Sequence, residues 1–270
     1  MNSLKQKLQQ YGAAVITGAS SGIGKALVES IAEMVDENFF ICNISRTKSD
    51  IFFDNKTFIN VPANLTNICE IDATFLYLEE NVFKKLKKGR KILLINNSGF
   101  GAYGEFPAPN VARNAEMIDL NVRALTYMCG KFLPLLKEKG GAIINIASTA
   151  SFQPCPYLSV YAATKAYVSS FSQSLSYELR GKNVEVLCIC PGPTATNFYK
   201  NAGFSERPLP NSYGHTAKEV AEQTLNAFAR GKSFYVVGFI NRLGAFLASK
   251  MPRAAILKIS GLILSKIRIK

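Results

Sequence analysis

The chain has 270 residues, 48% of them hydrophobic and 19% charged, and carries a net charge of +13. Those proportions suit one compact globular domain with a small appendage. They offer no charge-free run of eighteen apolar residues to span a bilayer and no apolar N-terminal segment with a cleavage site, so a cytoplasmic location is expected.

In chain order, apolar runs predict strands at 13–17, 39–45, 57–61, 91–96, 142–147, 184–190 and 233–237. Helices are expected between them at 23–35, 67–87, 111–138, 158–180 and 217–229. The strands lack clean alternation, as strands buried on both faces of a parallel sheet do. The βαβ rhythm therefore gives an α/β fold with right-handed crossovers: a doubly wound parallel sheet of about seven strands with helices on both faces. The composition changes near residue 238, which divides the chain into a domain over 1–237 and an extension over 238–270.

The first strand ends in TGASSGIG, Thr17 to Gly24. Gly18, Gly22 and Gly24 form GxxxGxG, with a strand before and a helix after, close to the Rossmann-type dinucleotide fingerprint. A tight turn, a close approach by a pyrophosphate and close helix packing each require glycine. The helix start then offers free N–H groups to phosphate, with Ser20, Ser21 and Ile23 completing the turn. The second strand ends in Ile44-Ser45-Arg46-Thr47, and no acid follows until Asp50. An acid there would bind the ribose 2′-hydroxyl of NAD. Arg46 suits a 2′-phosphate and Ser45 can add a hydroxyl, so NADP(H) is favoured over NAD(H).

Tyr161-Ala-Ala-Thr-Lys165 is YxxxK, a spacing that puts both side chains on one helix face. Tyr127 to Lys131 repeats the pattern, but only Tyr161 has a serine, Ser148, thirteen residues earlier at the end of a predicted strand. Ligands of such folds bind at that edge. Tyr127 and Lys131 are expected to be a helix surface or a subunit contact.

With these motifs in this order, the sequence resembles the short-chain dehydrogenase/reductase family in its common one-domain form, over about residues 11–237. TGASSGIG, NNSG at 96–99, Asn121, Ser148, Tyr161 with Lys165, and PGPTAT at 191–196 carry the resemblance. It implies a catalytic tetrad of Asn121, Ser148, Tyr161 and Lys165, and hydride transfer between NADP(H) and a small-molecule carbonyl or alcohol. Tyr161 would donate the proton or, in reverse, accept it. A phenol of pKa about 10 would need roughly 4 kcal/mol to fall ~3 units. A lysine ammonium at ~4–5 Å supplies about 3–4 kcal/mol at an effective dielectric near 20. The resemblance also implies that Asn97, Ser98 and Gly99 bind the cofactor after the fourth strand, with Asn96 and Gly99 shaping the turn. Pro191, Gly192, Thr194 and Thr196 would line the nicotinamide side. Asn64, followed by Leu65, stands where the family has an aspartate on the adenine amine, and its amide oxygen can still accept that bond. Ser98 replaces the usual alanine.

Phe152, Tyr157, Phe198, Tyr199 and Phe204 are candidates for an apolar pocket, with Phe198–His215 as a mobile lid; the alternative is that they only pack on the core. His215, the sole histidine, is expected in the lid or at the surface. Six cysteines without a CxxC pair predict free thiols and no metal. The diffuse positive charge, without a recognition motif, argues against nucleic acid. The extension mixes aliphatics with Lys and Arg and has no acid. Peripheral contact with an anionic membrane is one reading, and packing or oligomerisation is the preferred one. By the resemblance, helices 111–138 and 158–180 would form a homo-oligomeric face. A binding protein without turnover, acting as a dinucleotide sensor or at a membrane, is the alternative to an enzyme.

Overall fold

The structure, a computed structural model, describes residues 2–54, 57–204 and 214–267. Helix α1 (Asn2–Leu8) leads into β1 (Tyr11–Thr17), then α2 (Gly22–Ala32), β2 (Phe40–Ser45), β3 (Thr57–Pro62), α3 (Ile68–Asn81) and β4 (Lys91–Asn96). Helix α4 (Val111–Ile118) continues through a π-helical turn, Asp119–Ala124, into α5 (Leu125–Lys139). Next come β5 (Gly141–Ile146), α6 (Ser159–Glu178), β6 (Val184–Cys190), β7 (Thr194–Ala195) and α7 (Phe198–Asn201). The chain closes with β8 (His215–Thr216), α8 (Ala217–Ala229), β9 (Phe234–Val236), α9 (Phe239–Lys250) and α10 (Arg253–Ile267).

Seven strands form one parallel sheet in the order β3-β2-β1-β4-β5-β6-β9. This is the doubly wound Rossmann order with an added seventh strand. β1 shows why its sequence is apolar throughout. Ala13 and Val15 enter the core on one face. Ala14 and Ile16 enter the core on the other. The first core takes Ile71 and Leu78 of α3, Phe132 and Leu136 of α5, and Val168 of α6. The second takes Leu27 and Ile31 of α2, Phe228 of α8, and Leu4 and Leu8 of α1. With both faces covered, a ligand can reach the sheet only along the strand ends.

The structure departs from the sequence expectations in three places, and a fourth lies partly outside the described residues. The helix expected over 67–87 ends at Asn81 and is followed by a 3₁₀ turn, Phe83–Lys85. The helix expected over 111–138 is interrupted by the π turn. Helix α1 was not anticipated, because its only buried apolar residues are Leu4 and Leu8. Of the expected lid over Phe198–His215, α7 and β8 occupy the two ends, while 205–213 lie outside the described residues.

Phe132 is almost wholly buried and meets Phe75 and Phe83 edge-on, at 5.1 and 5.8 Å between ring centroids. Phe132→Ala should lower the unfolding free energy by about 3–5 kcal/mol, read from urea denaturation.

Candidate active site

A cavity of about 750 Å³ runs along the C-terminal ends of the central strands. Its first wall is the glycine turn. Gly18 has φ +71°, and a Cβ there would lie 2.7 Å from Ser98 Oγ. A Cβ on Gly24 would lie 2.4 Å from the Gly18 carbonyl oxygen and 2.5 Å from Asn97 Nδ2. The turn is thus closed to any side chain at either position. Thr17 fixes it from behind: its hydroxyl accepts from the Asn97 and Ser98 amides, each at 2.9 Å. Asn97 Nδ2 donates to the Thr17 and Gly18 carbonyls at 3.0 and 3.2 Å. Ser21, at the N-cap of α2, makes no side-chain cap bond, which leaves the first-turn amides to a phosphate. These features fit a dinucleotide pyrophosphate.

At the far end, Ser45, the last residue of β2, and Arg46 after it line the same cavity. Ser45 Oγ donates to the Thr47 carbonyl at 2.6 Å. Arg46, 59% exposed, pairs with Glu116 at 3.3 Å, and Arg113 holds the same carboxylate at 2.7 Å. Asp50, the first acid after β2, is held instead by Lys25 at 3.0 Å and lies off the cavity wall. Asn64 lines the cavity, but its side-chain oxygen accepts from the Thr66 amide and hydroxyl at 3.2 and 2.9 Å, in an Asx turn. The oxygen expected to meet an adenine amine is therefore engaged within its own loop.

Strand β5 carries Ser148 just past its end, and α6 brings Tyr161 and Lys165 to the same point. The Tyr161 phenol and the Ser148 hydroxyl lie on the same cavity wall, close enough for the hydroxyl to pull the phenol downward. Ser148 Oγ also accepts from the Ala150 amide at 3.1 Å. Phe198 packs on Tyr161 with 5.2 Å between ring centroids. Lys165 Nζ donates to the Ile146 carbonyl at 2.8 Å and lies 5.9 Å from the centre of the Tyr161 ring. Asn121 sits in the π turn, where its amide pairs with Phe100 in both directions, donating at 2.9 Å and accepting at 3.1 Å. It also donates to Thr164 Oγ1 at 3.1 Å. A Cβ on Gly99 would lie 2.8 Å from Asn121 Oδ1 and 3.4 Å from Lys165 Nζ, so those two groups flank one glycine.

The electrostatics differ from the sequence expectation. Burial pushes the Tyr161 phenol well above its ordinary value, against a smaller downward pull from Ser148. Burial also holds Lys165 down, to about 8. The lysine is turned to a backbone carbonyl rather than to the phenol oxygen, so the desolvation of Tyr161 outweighs the depression expected of the ammonium.

All the sequence-predicted site residues line this cavity except Gly24 and Asn121, which stand behind the wall. Asn96 also lies behind it, buried and donating to Asn145 Oδ1 at 2.8 Å. Of the aromatic candidates, Phe198, Tyr199 and Phe204 face the cavity, whereas Phe152 packs on Phe234 and Tyr157 on Tyr103. His215 is not on the wall. Tyr127 and Lys131 meet at Asp72, at 2.9 and 2.7 Å, as a helix-surface cluster. Arg113, Ser260, Ile263 and Leu264 line the cavity without having been foreseen. Arg113 lies on an exposed helix turn, and its sequence gives no cue; the other three belong to the extension.

Residues 12–206 match the short chain dehydrogenase family. The chain belongs to that family. An inactive hydroxysteroid dehydrogenase-like protein 1 of Homo sapiens is 31% identical over 80% of this chain and 68% of its own length. A very-long-chain 3-oxoacyl-CoA reductase of Anas platyrhynchos is 29% identical over 76% of this chain and 67% of its own. Among solved structures, a short-chain dehydrogenase from Sphingobium yanoikuyae in complex with NADPH superposes with a TM-score of 0.72, at 26% identity, over 90% of this chain and 97% of that one.

Lys165 is an ammonium at neutral pH and loses its proton as the pH passes about 8. If its charge supports turnover, kcat/KM for carbonyl reduction should fall above that pH. A Lys165→Arg variant keeps its charge there, so whatever activity it retains should lack the falling limb.

Proposed function

We propose that the protein is an NADP(H)-dependent carbonyl reductase acting on an apolar or acyl ketone, with Tyr161 as the proton donor. The observation that carries this reading is one cavity lined by both the glycine turn and the Ser148–Tyr161 pair, with Lys165 beside it. NADPH, when bound, supplies the hydride. The ketone oxygen would accept hydrogen bonds from Ser148 and Tyr161, which hold it where negative charge develops. The phenol, pushed upward by burial, is protonated at neutral pH, as a donor in the reductive direction must be before it reacts. Lys165 then stabilises the phenolate left behind. Asn121 keeps the Phe100 loop and its neighbour Gly99 in place against the lysine.

Arg46 supports the choice of cofactor. Its pairing with Glu116 is an exposed one, of little energetic weight, so the guanidinium can turn to a 2′-phosphate cheaply. Asp50, the first acid after β2, is paired with Lys25 away from the cavity. For the substrate, Phe198, Tyr199, Phe204, Ile263 and Leu264 make that end of the cavity apolar. The duck relative's 3-oxoacyl substrate is a ketone of this class.

The test is consumption of NADPH by the purified protein against acyl thioester ketones, steroid ketones and small aldehydes. Turnover should prefer NADPH to NADH and fall by at least about a hundredfold in Tyr161→Phe. Arg46→Ala should raise KM for NADPH by about tenfold or more while leaving KM for NADH nearly unchanged. Tight NADPH binding with no turnover across the panel would favour a dinucleotide sensor instead; the human relative is itself described as inactive.

A further inference from the structure

Helices α9 and α10 are built the reverse of an ordinary surface helix. On α9, the residues turned toward the protein are small: Asn241, Ala245 and Ala248. The large apolar residues point outward, with Phe239 74% and Ile240 82% exposed, and Leu243, Phe246 and Leu247 also exposed. On α10, Ser260 is buried while Leu257, Ile259, Leu262 and Ile263 are exposed. Two adjoining helices thus turn nine large apolar side chains to solvent, a grouping that marks an interaction surface.

Charge identifies what covers it. From Gly238 to Lys270 the sequence contains Arg242, Lys250, Arg253, Lys258, Lys266, Arg268 and Lys270, and no Asp or Glu. A symmetric contact with a second copy would set this basic patch against itself, and a contact elsewhere on that copy would meet a chain of net charge +13. An anionic lipid surface satisfies both the apolar and the basic side chains. Among the described residues no helix is long and apolar enough to cross a membrane, so the contact is with the surface. We infer that α9 and α10 dock this protein on an anionic membrane, with their outward apolar residues in the headgroup region and their Lys and Arg on the lipid charges.

The inner side of the docking helix α10 is also a wall of the cavity. Ser260, Ile263 and Leu264 of α10 line it. The helix is pinned there by Tyr103 Oη, which donates to the Leu264 carbonyl at 2.6 Å, and by Ser260 Oγ, which donates to the Pro154 carbonyl at 2.8 Å. Docking therefore places the apolar end of the cavity beside the bilayer, where a lipid ketone can pass from membrane to site. This delivery rests on the reaction proposed above, whereas the docking itself does not.

The experiment is vesicle flotation of the full chain, with phosphatidylcholine alone or mixed with phosphatidylserine, in low and high salt. Light scattering of the protein alone runs in parallel. The chain should float with the anionic vesicles, less so in high salt. Both F246S/L247S and K250E/K258E should lower the bound fraction by about tenfold or more. The far-ultraviolet circular dichroism and the thermal unfolding midpoint should be unchanged in both variants, which shows that they fold whether or not the protein reduces a carbonyl. Absence of binding to anionic vesicles in low salt would overturn the inference. A wild-type dimer that F246S/L247S converts to a monomer, without vesicle binding, would assign the surface to a second copy. Equal binding to both vesicle types, unaffected by K250E/K258E, would overturn the role of charge.

Discussion

The Thr17 hydroxyl accepts two backbone N–H groups from the loop after β4 while Thr17 itself ends β1. This clamp joins the ends of two adjacent central strands and fixes the turn that follows the first of them. The glycine positions are then set by what stands behind them, Ser98 against Gly18 and Asn97 against Gly24. A second polar chain crosses the sheet below. Asn96 donates to Asn145 at 2.8 Å, and Asn145 donates to Ser172 on α6 at 2.9 Å. Buried polar groups of this kind are costly unless paired, so the chain favours one register of helix on sheet. That register carries Tyr161 and Lys165. The glycine-turn end and the Ser148–Tyr161 end of the cavity are therefore tied to the same strands.

Lys165 shows how burial and function meet. A lysine in the interior is expected to lose its proton more readily, and it does, yet its pKa of about 8 leaves it charged at neutral pH. Its bond to the Ile146 carbonyl compensates for part of the lost hydration. The neighbouring phenol responds to the same dry environment in the opposite sense and keeps its proton. One low-dielectric pocket thus holds a cation and a neutral acid side by side.

The sheet was legible because strands buried on both faces are written as apolar runs, and β1 to β6 coincide with those runs within about two residues. The site was legible where local pattern and position in the fold agreed. Two YxxxK motifs are equivalent as strings, and the serine at the end of β5 distinguishes Tyr161 from Tyr127. What stayed hidden depends on distant partners. The π turn around Asn121 follows from its pairing with Phe100, twenty-one positions away in sequence. The orientation of Lys165 depends on a carbonyl of β5. The α9 sequence shows apolar residues at helical spacing, but not that the small ones face inward. That depends on how closely the helix approaches the body of the protein.

Glu116 is shared between two arginines, Arg46 just past the end of β2 and Arg113 in the first turn of α4. Arg113 is anchored independently, its guanidinium 3.7 Å above the Phe100 ring and 2.7 Å from the carboxylate. A phosphate that drew Arg46 away would leave Glu116 still neutralised. The protein would then exchange one ion pair for another without stranding a charge at any point along the way. Under the function proposed above, such an arrangement would let a phosphate-bearing coenzyme enter and leave against a low electrostatic barrier.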